Sequence, residues 1–181
     1  MNITIISGSP RRESTSFRVA KFLHNYLLNN NPELTVNFID VSDHHLPYVQ
    51  EVFTSTDAVP SEFKTLAETI FNTDAFLLVT PEYNGGYSPA LKNLLDHFPK
   101  QQHKAFGIVT STTGGLGGMR AAQQMLLLIG GLFGIASPHM LLVPQVDSKF
   151  NEDNMLIDEK FSKSIDLFLK EFLWLSNAIK N

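Results

Sequence analysis

Short apolar runs alternate with longer amphipathic segments along this chain. The runs have the length of β-strands and occur at five places: ITIIS (3–7), LTVNFID (34–40), AFLLVT (75–80), AFGIVTS (105–111) and HMLLVP (139–144). Three of them are nearly continuous in apolar residues, which is typical of strands that are covered on both faces. The pattern therefore predicts a parallel sheet between two layers of helices.

The segments between and after these runs have the length and spacing of helices. They lie at 15–29, 60–72, 89–97, 117–133 and 156–179. In the third segment, Ser88 and Pro89 combine a capping hydroxyl with a proline at the first helical position. The last segment repeats apolar side chains at steps of three and four residues, which gives it one apolar face. This alternation over the whole chain predicts one α/β domain, residues 1–181.

Composition narrows the chemistry available to such a domain. The chain has no cysteine, which excludes disulfides, thiolate nucleophiles and cysteine-bound metals, and we expect no metal site. A net charge of -4 disfavours a broad surface for nucleic acid or anionic membranes. The first residues, MNITIISGSP, contain neither a basic leader nor an apolar run long enough for a signal peptide. We expect a cytoplasmic protein with neither nucleic-acid nor membrane partners.

Three loops rich in small polar residues follow the first, third and fourth apolar runs. Their sequences are SGSPRRESTS, TPEYNGGYSPALKN and TSTTGGLGGMR. Ligands of open α/β sheets lie outside the carboxyl ends of the strands, where helices begin. The three loops therefore predict one binding site at this edge of the sheet.

The first loop has the character of an anion site. A helix that starts near Ser14 presents free backbone N–H groups and the positive end of its dipole. Arg11 should contribute more than the dipole, since hydrogen bonds to charged groups are worth about 1.5–3 kcal/mol each. Neither the dinucleotide nor the P-loop pattern fits, because Gly8 stands alone and no lysine follows. Further donors would be the hydroxyls of Ser9, Ser14, Thr15 and Ser16. The alternative is a helix cap beside two solvated arginines, Arg11 and Arg12.

The second loop can present its backbone to a flat heterocycle. Gly85 and Gly86 permit a tight turn with exposed amides, and Tyr83 and Tyr87 are available for stacking. Glu82 is either a general acid or base, or a turn residue that bonds to backbone. The second interpretation is favoured because no carboxylate or histidine stands at an informative spacing. The third loop is either a clamp of N–H groups and hydroxyls or a glycine-rich connector.

Four motifs give the chain a family resemblance. They are GSPRRES (8–14), PEYN (81–84), LKNLLD (91–96) and GGMRA (117–121). In this order they resemble the NADPH-dependent FMN reductase family, which includes quinone, chromate and azo-dye reductases. The resemblance covers residues 3–145. It implies a flavodoxin-like three-layer α/β/α sandwich, a five-stranded parallel sheet in the order 2-1-3-4-5, FMN at the carboxyl edge, and a homodimer or homotetramer.

The resemblance also assigns residues to FMN. The phosphate would be bound by Ser9, Arg11 and Ser16, together with Ser14 and Thr15 of the same loop. The isoalloxazine would be lined by Pro81, Glu82, Tyr83 and Asn84, and closed on its other side by Ser111, Thr112, Thr113 and Gly114. Three departures from the family pattern are Ser16, Ala90 and Leu126, which stand where asparagine, glycine and arginine are common. The uncharged Leu126 leaves the preference between NADH and NADPH open.

The implied activity is that of an FMN-dependent NAD(P)H oxidoreductase with ping-pong kinetics. A hydride would pass from NADPH or NADH to flavin N5, and a small acceptor would then take its place. No protein acid or nucleophile is required, since the cofactor performs the chemistry. The alternative is a flavodoxin-type electron carrier without turnover of its own. A phosphate-ester enzyme is disfavoured, because no nucleophile or metal cluster is evident. The acceptor, the role of Arg12 and that of the loop 42–60 stay open.

Overall fold

The structure is a computed structural model, and it describes residues 1–180. Its strands are β1 (Asn2–Ser7), β2 (Thr35–Asp40), β3 (Ala75–Tyr83), β4 (Gly86–Tyr87), β5 (Ala105–Ser111), β6 (Ile135–Ala136) and β7 (Leu141–Val143). Its helices are α1 (Thr15–Asn30), α2 (Lys64–Phe71), α3 (Pro89–Asp96), α4 (Met119–Gly131) and α5 (Ser162–Lys180). Apart from the successive strands β3–β4 and β6–β7, strands and helices alternate as the apolar pattern predicts.

The strands form one sheet in the order β2-β1-β3-β5-β6, and these neighbours are parallel. The predicted order 2-1-3-4-5 is confirmed, but the described sheet has seven strands and not five. Its last position is shared by β6 and β7, which pair in parallel with the two ends of β5. Pro138 lies between them and has no N–H to continue the ladder. The other strand that the sequence did not predict, β4, forms a short antiparallel hairpin with β3.

Helices cover both faces of the sheet. On one face, Ile3 and Ile5 belong to an apolar cluster with Leu23 of α1 and Phe168 of α5. On the other face, the cluster contains Ile6 and residues of α2, α3 and α4: Ile70, Leu91, Leu94 and Met125. Alternate side chains of a strand point to opposite faces, so burial on both sides requires an uninterrupted apolar run. The three-layer α/β/α sandwich is therefore confirmed.

Three helices begin later than the sequence predicts: α4, predicted from 117, begins at Met119, and α2 and α5 begin at least four residues late. The segment predicted at 60–72 starts with a 3-10 turn, and α2 begins at Lys64. The segment predicted at 156–179 likewise has a 3-10 turn, where the Asp158 side chain accepts the N–H of Lys160, and α5 begins at Ser162. In both cases a local turn satisfies the first amides before the regular helix starts.

The long loop 42–60 is anchored on the α2–α3 side. The Asn93 side-chain amide donates to the carbonyls of Leu46 and Pro47 at 3.3 and 2.9 Å. The Phe53 N–H donates to the His97 carbonyl at 2.7 Å, and its ring packs against the rings of Phe63 and Phe98. The loop is therefore packed onto the fold along part of its length.

Within residues 1–180, no helix combines the length and the apolar character that crossing a bilayer requires.

Candidate functional site

The three polar loops meet in one cleft at the carboxyl edge of the sheet. β1, β3 and β5 lie side by side, so that Ser7 is paired with Val79, and Pro81 with Ser111. The loops that follow these strands enclose about 590 Å³, within the roughly 300–1,000 Å³ typical of small-molecule sites. The lining residues are Arg11, Thr15, Pro81, Glu82, Tyr83, Asn84, Pro89, Ser111, Thr112 and Thr113.

Helix α1 begins at this cleft without a side-chain cap. Ser14 occupies the N-cap position in an extended conformation, yet its hydroxyl makes no capping hydrogen bond. Instead, it lies 2.7 Å from the hydroxyl of Ser16, and both side chains are buried. The first backbone N–H groups of a helix need acceptors that the helix itself does not provide. The start of α1 is therefore suited to an anion, and Ser14 does not act as the predicted alternative, a helix cap.

Arg11 is positioned by an aromatic side chain of the second loop. Its guanidinium lies over the Tyr83 ring, 4.6 Å from the ring centroid, an attractive cation–π geometry. Ser9 is buried below them, and its hydroxyl accepts the N–H of Arg11 at 3.3 Å and lies 3.3 Å from the Tyr83 hydroxyl. These contacts join the first and second loops, although 74 positions separate Ser9 from Tyr83.

Arg12 faces different surroundings from its neighbour Arg11. It lines a separate cavity of about 350 Å³ beside α1, together with Glu13, Ser14, Phe17, Arg18, Glu152 and Asn154. The carboxylates of Glu13 and Glu152 reduce the positive potential of this cavity. Arg11 is therefore the arginine that the fold directs to the main cleft.

The second loop is a two-residue β-hairpin. Glu82 pairs with Tyr87, and Tyr83 pairs with Gly86, in antiparallel register. The two central residues, Asn84 and Gly85, have φ values of 51° and 82°. Positive φ at both positions defines a type I′ turn, for which Asn-Gly is the preferred sequence. This turn presents one side of the hairpin to the cleft through Tyr83.

Tyr87 lies outside the cleft. It lines a groove of about 460 Å³ between α3 and α4. Burial raises the pKa of its phenol, so the group is neutral at physiological pH. Alternation along the short strand β4 turns Tyr87 away from the side that Tyr83 occupies.

The carboxylate of Glu82 points to helix α4. Its Oε2 atom accepts the backbone N–H groups of Arg120 and Ala121 at 3.1 and 3.3 Å. Its Oε1 atom lies 3.5 Å from Nη1 of Arg120. Of the two interpretations that the sequence leaves open, general acid–base catalysis and bonding to backbone, the geometry matches the second. The backbone that it contacts lies 38 residues further along the chain.

The third loop contributes an unpaired polar atom. Ser111 is one of the residues that line the cleft, its hydroxyl is buried, and within residues 1–180 this hydroxyl has no hydrogen-bond partner. Buried polar atoms nearly always have a partner, so an unpaired one in a cleft indicates a missing ligand group or ordered water. Beside it, the Thr112 hydroxyl donates to the Gly114 carbonyl at 3.2 Å.

Most of the sequence-predicted site residues lie together. Nine line the cleft: Arg11, Thr15, Pro81, Glu82, Tyr83, Asn84, Ser111, Thr112 and Thr113. Ser9 contacts the lining residue Tyr83, Ser14 and Ser16 lie at the start of α1, and Gly114 follows the lining threonines. Pro89 also lines the cleft and was not among the predicted site residues, although its position at the start of α3, directly after the second loop, was a usable signal.

A smaller cavity of about 220 Å³ adjoins the first loop. Pro10, His44, His45 and Ala90 are among its lining residues. Burial lowers the pKa of His44 and outweighs the opposing effect of Asp43 and Asp40. His44 is therefore neutral at physiological pH. Residues at the start of the loop 42–60 therefore form one wall of a cavity that lies next to the candidate site.

A protein-family model and a curated relative each match most of this chain. The sequence model of a protein family described as NADPH-dependent FMN reductase matches residues 1–147. A curated relative, the FMN-dependent NADPH-azoreductase of Staphylococcus aureus, is 27% identical over 179 residues, which cover 96% of this chain and 94% of the relative.

Solved structures share the fold. The flavoenzyme NAD(P)H:(acceptor) oxidoreductase FerB from Paracoccus denitrificans superposes with a TM-score of 0.80 at 20% identity, covering 98% of each chain. An NADH:FMN oxidoreductase, EMOB, in its apo form gives 0.70 at 20% identity, covering 98% of this chain and 89% of the other. A flavodoxin variant from Pseudomonas aeruginosa gives 0.57 at 19% identity, covering 100% of each chain. At these identities the likeness establishes the flavodoxin-like fold.

Proposed function

Because this chain belongs to the NADPH-dependent FMN reductase family, we propose that it transfers electrons from NADPH or NADH to a small acceptor by a ping-pong mechanism. The chain is an FMN-dependent oxidoreductase. The acceptor we propose is a quinone, an azo compound, a metal oxyanion or free flavin. The observation that carries the proposal is the cleft itself, which combines an uncapped helix start, Arg11 and the unpaired Ser111 hydroxyl.

The described residues fit FMN at both of its ends. The N–H groups at the start of α1, with Thr15 and Arg11, suit a phosphate because they combine donors with positive charge. The hairpin at Tyr83 and Asn84 and the loop at Ser111 face one another across the rest of the cleft. We assign to FMN the residues Ser9, Arg11, Ser14, Thr15, Ser16, Pro81, Glu82, Tyr83, Asn84, Ser111, Thr112, Thr113 and Gly114, with the Glu82 contact made through its backbone.

The chain supplies binding and electrostatics to this reaction. When bound, FMN would supply the redox chemistry, which is hydride acceptance and electron transfer. Backbone N–H groups of the hairpin would supply donors to the bound ring, because fixed dipoles of this kind stabilise developing negative charge. Arg11, stacked on Tyr83, keeps a positive charge at the mouth of the cleft. The Glu82 carboxylate is engaged with α4, so no proton transfer is assigned to it.

The test uses the purified full-length protein. We expect stoichiometric FMN with a visible flavin spectrum, oxidation of NADPH or NADH, and parallel double-reciprocal plots when coenzyme and acceptor are varied together. A panel of quinones, azo dyes, chromate and free flavin, run with each coenzyme, identifies the acceptor and the coenzyme preference. A protein that neither binds FMN nor oxidises NAD(P)H in its presence would contradict the proposal.

An electron carrier of the flavodoxin type is the competing function. The family match and the azoreductase relative favour the reductase, because a carrier needs no coenzyme site of its own. Rapid reduction of the bound flavin by NAD(P)H alone would exclude the carrier. Reduction that requires an added partner reductase would favour it.

We further propose that the chain is a single cytoplasmic domain that assembles as a homodimer or homotetramer. Helix α4 supports self-association, because Leu126 and Leu127 are exposed beside the groove that Tyr87 lines. Exposed large apolar side chains clustered next to a groove often mark interfaces between proteins. Light scattering coupled to gel filtration gives the mass, and a monomer at micromolar concentration would contradict this part of the proposal.

A further inference from the structure

Helix α4 begins at a residue that provides no cap. Its N-cap is Gly118, in the left-handed region at φ 84°, and no side chain at that position accepts a hydrogen bond. Serine, threonine, aspartate or asparagine normally supplies such an acceptor. At Gly118 none of these fits, because an added Cβ would lie 2.8 Å from the Cβ of Thr110. The amides of Arg120 and Ala121 therefore need an acceptor from elsewhere.

Glu82 provides that acceptor from the second loop. One carboxylate oxygen accepts both N–H groups, at 3.1 and 3.3 Å, and its negative charge lies at the positive end of the α4 dipole. The Glu82 side chain is only 16% exposed, whereas its ion-pair partner Arg120 is 69% exposed. The hydrogen bonds to backbone therefore dominate over the solvated ion pair.

The same contact fixes the hairpin that faces the cleft. Glu82 is the hairpin residue whose side chain is bonded to α4, and it directly precedes Tyr83. The hairpin also lies close to α4 at its tip, since an added Cβ on Gly86 would lie 3.0 Å from Oε1 of Gln124, and one on Gly85 would lie 3.4 Å from Cδ of Arg120. Displacing Glu82 would move the Tyr83 ring and the neighbouring amides together.

We propose that Glu82 is a positioning residue, which caps α4 and thereby sets the distance of the 82–87 hairpin from the flavin site. The inference rests on the proposed function. Its carboxylate acts on FMN through the hairpin backbone and not by direct contact. Removing it should weaken FMN binding and lower the flavin reduction potential, because amide donors that stabilise the reduced ring lose their position.

The sign of the potential change separates positioning from simple charge. Loss of a nearby negative charge alone would favour the reduced, more negative flavin and raise the potential in Glu82→Ala and Glu82→Gln alike. Loss of positioning instead lowers the potential in Glu82→Ala. In Glu82→Gln the amide oxygen still accepts an N–H, so the potential should stay close to the wild-type value. If the affinity for reduced FMN falls tenfold relative to the affinity for oxidised FMN, the potential of this two-electron couple falls by about 30 mV.

The experiment measures the FMN dissociation constant and midpoint potential of the full chain. We expect at least tenfold weaker binding and a lower potential for Glu82→Ala, and less than threefold weaker binding for Glu82→Gln. One control should match wild type: Glu68→Ala, which removes an exposed carboxylate on α2 and leaves the contact between Glu82 and α4 in place. Hydrogen exchange of the apoprotein should be faster at the Arg120 and Ala121 amides in Glu82→Ala.

The outcomes distinguish this inference from the proposed function. Wild-type protein that binds FMN, with Glu82→Ala equal to it in affinity and potential, overturns the positioning role alone. A raised potential in both Glu82 variants also overturns it, in favour of a charge effect. If Glu82→Ala does not fold, Glu82→Met, which keeps the length of the side chain but also lacks an acceptor, replaces it with the same expected losses. Wild-type protein that does not bind FMN overturns the proposed function itself.

Discussion

At the scale of single residues, neighbouring side chains have separate roles because the fold sends them to different surfaces. Arg11 stacks on Tyr83 in the main cleft, whereas Arg12 lines the cavity that also contains Glu13 and Glu152. The two arginines carry the same charge, so a comparison between them isolates position from charge.

Replacing Arg11 by alanine should weaken FMN binding strongly. Loss of a hydrogen bond to a charged group costs about 1.5–3 kcal/mol, or roughly 10- to 150-fold in affinity. Arg12→Ala should change affinity by less than about threefold, because Arg12 lines a separate cavity and not the cleft. Titration of flavin fluorescence measures both. Equal losses would show that the first loop has been assigned wrongly.

Ser111 offers a second test at this scale. Its buried hydroxyl lacks a partner in the described chain, and such a group costs about 1–3 kcal/mol. Ser111→Ala should therefore leave the apoprotein equally or more stable and weaken FMN binding about five- to tenfold. Ser137 is the matched control, since it has the same unpaired, buried hydroxyl but lies beside Phe106, at the other end of β5. Ser137→Ala should leave FMN affinity unchanged, and an unchanged affinity in Ser111→Ala would contradict the assignment.

At the scale of elements, the beginnings of α1 and α4 are built differently. Ser14 stands at the start of α1 but leaves its amides open, whereas α4 begins at a glycine and takes its cap from Glu82. The first arrangement suits ligand binding, and the second suits a fixed contact between a loop and a helix.

Adding a side chain at Gly118, at the start of α4, should destabilise the folded protein. Gly118→Ala combines a positive φ with a 2.8 Å approach to Thr110, and strain of this kind costs about 1–3 kcal/mol. Gly115 lies in the same loop with nothing within 4 Å of an added Cβ, so Gly115→Ala should change stability by less than about 0.5 kcal/mol. Urea unfolding of the two apoproteins compares them. Similar stabilities would show that Gly118 tolerates a side chain.

At the scale of the whole molecule, α4 presents an apolar surface that a single chain leaves exposed. Leu127 is 79% exposed, whereas Met125 and Leu128 on the same helix are buried. Leu127→Glu should leave the fold intact and shift the assembly towards smaller species, because a charge is costly in a buried apolar interface. Sedimentation velocity against wild type tests this. An unchanged oligomer would place the interface elsewhere.

The carboxylate of Asp74 joins the two ends of the described chain. It accepts the backbone N–H of Asn2 at 2.7 Å and contacts Nζ of Lys180 at the end of α5. Partial burial alone would raise its pKa, but these hydrogen bonds and the nearby positive charges outweigh it, and the pKa falls below the usual 3.8.

A lowered pKa stabilises the folded state at pH values above 3.8, and this contribution is lost as the pH falls through the folded value. The difference in unfolding free energy between wild type and Asp74→Asn should thus be largest near neutral pH and shrink below about pH 4. A difference that does not vary with pH would contradict the lowered pKa.

The sequence by itself determined the architecture and the region of the site. Apolar runs as continuous as AFLLVT require cover on both faces, and polar loops after three such runs place a cleft at one edge of a parallel sheet. The sequence also indicated a tight turn after Tyr83, but it assigned this turn to Gly85 and Gly86. In the structure the turn residues with positive φ are Asn84 and Gly85, and Gly86 belongs to β4. These features depend on residues that are close together in the chain or on the order of the strands. The spacing of apolar residues along the sequence indicates both.

Only the tertiary structure decided which side chains meet. The sequence left Glu82 between two roles, and its acceptor role follows from the position of α4, 38 residues away. The separation of Arg11 from Arg12 into two different cavities is likewise a result of packing. Such contacts depend on how segments that are far apart in the chain pack against one another. The pattern of residue types within one segment does not determine this packing.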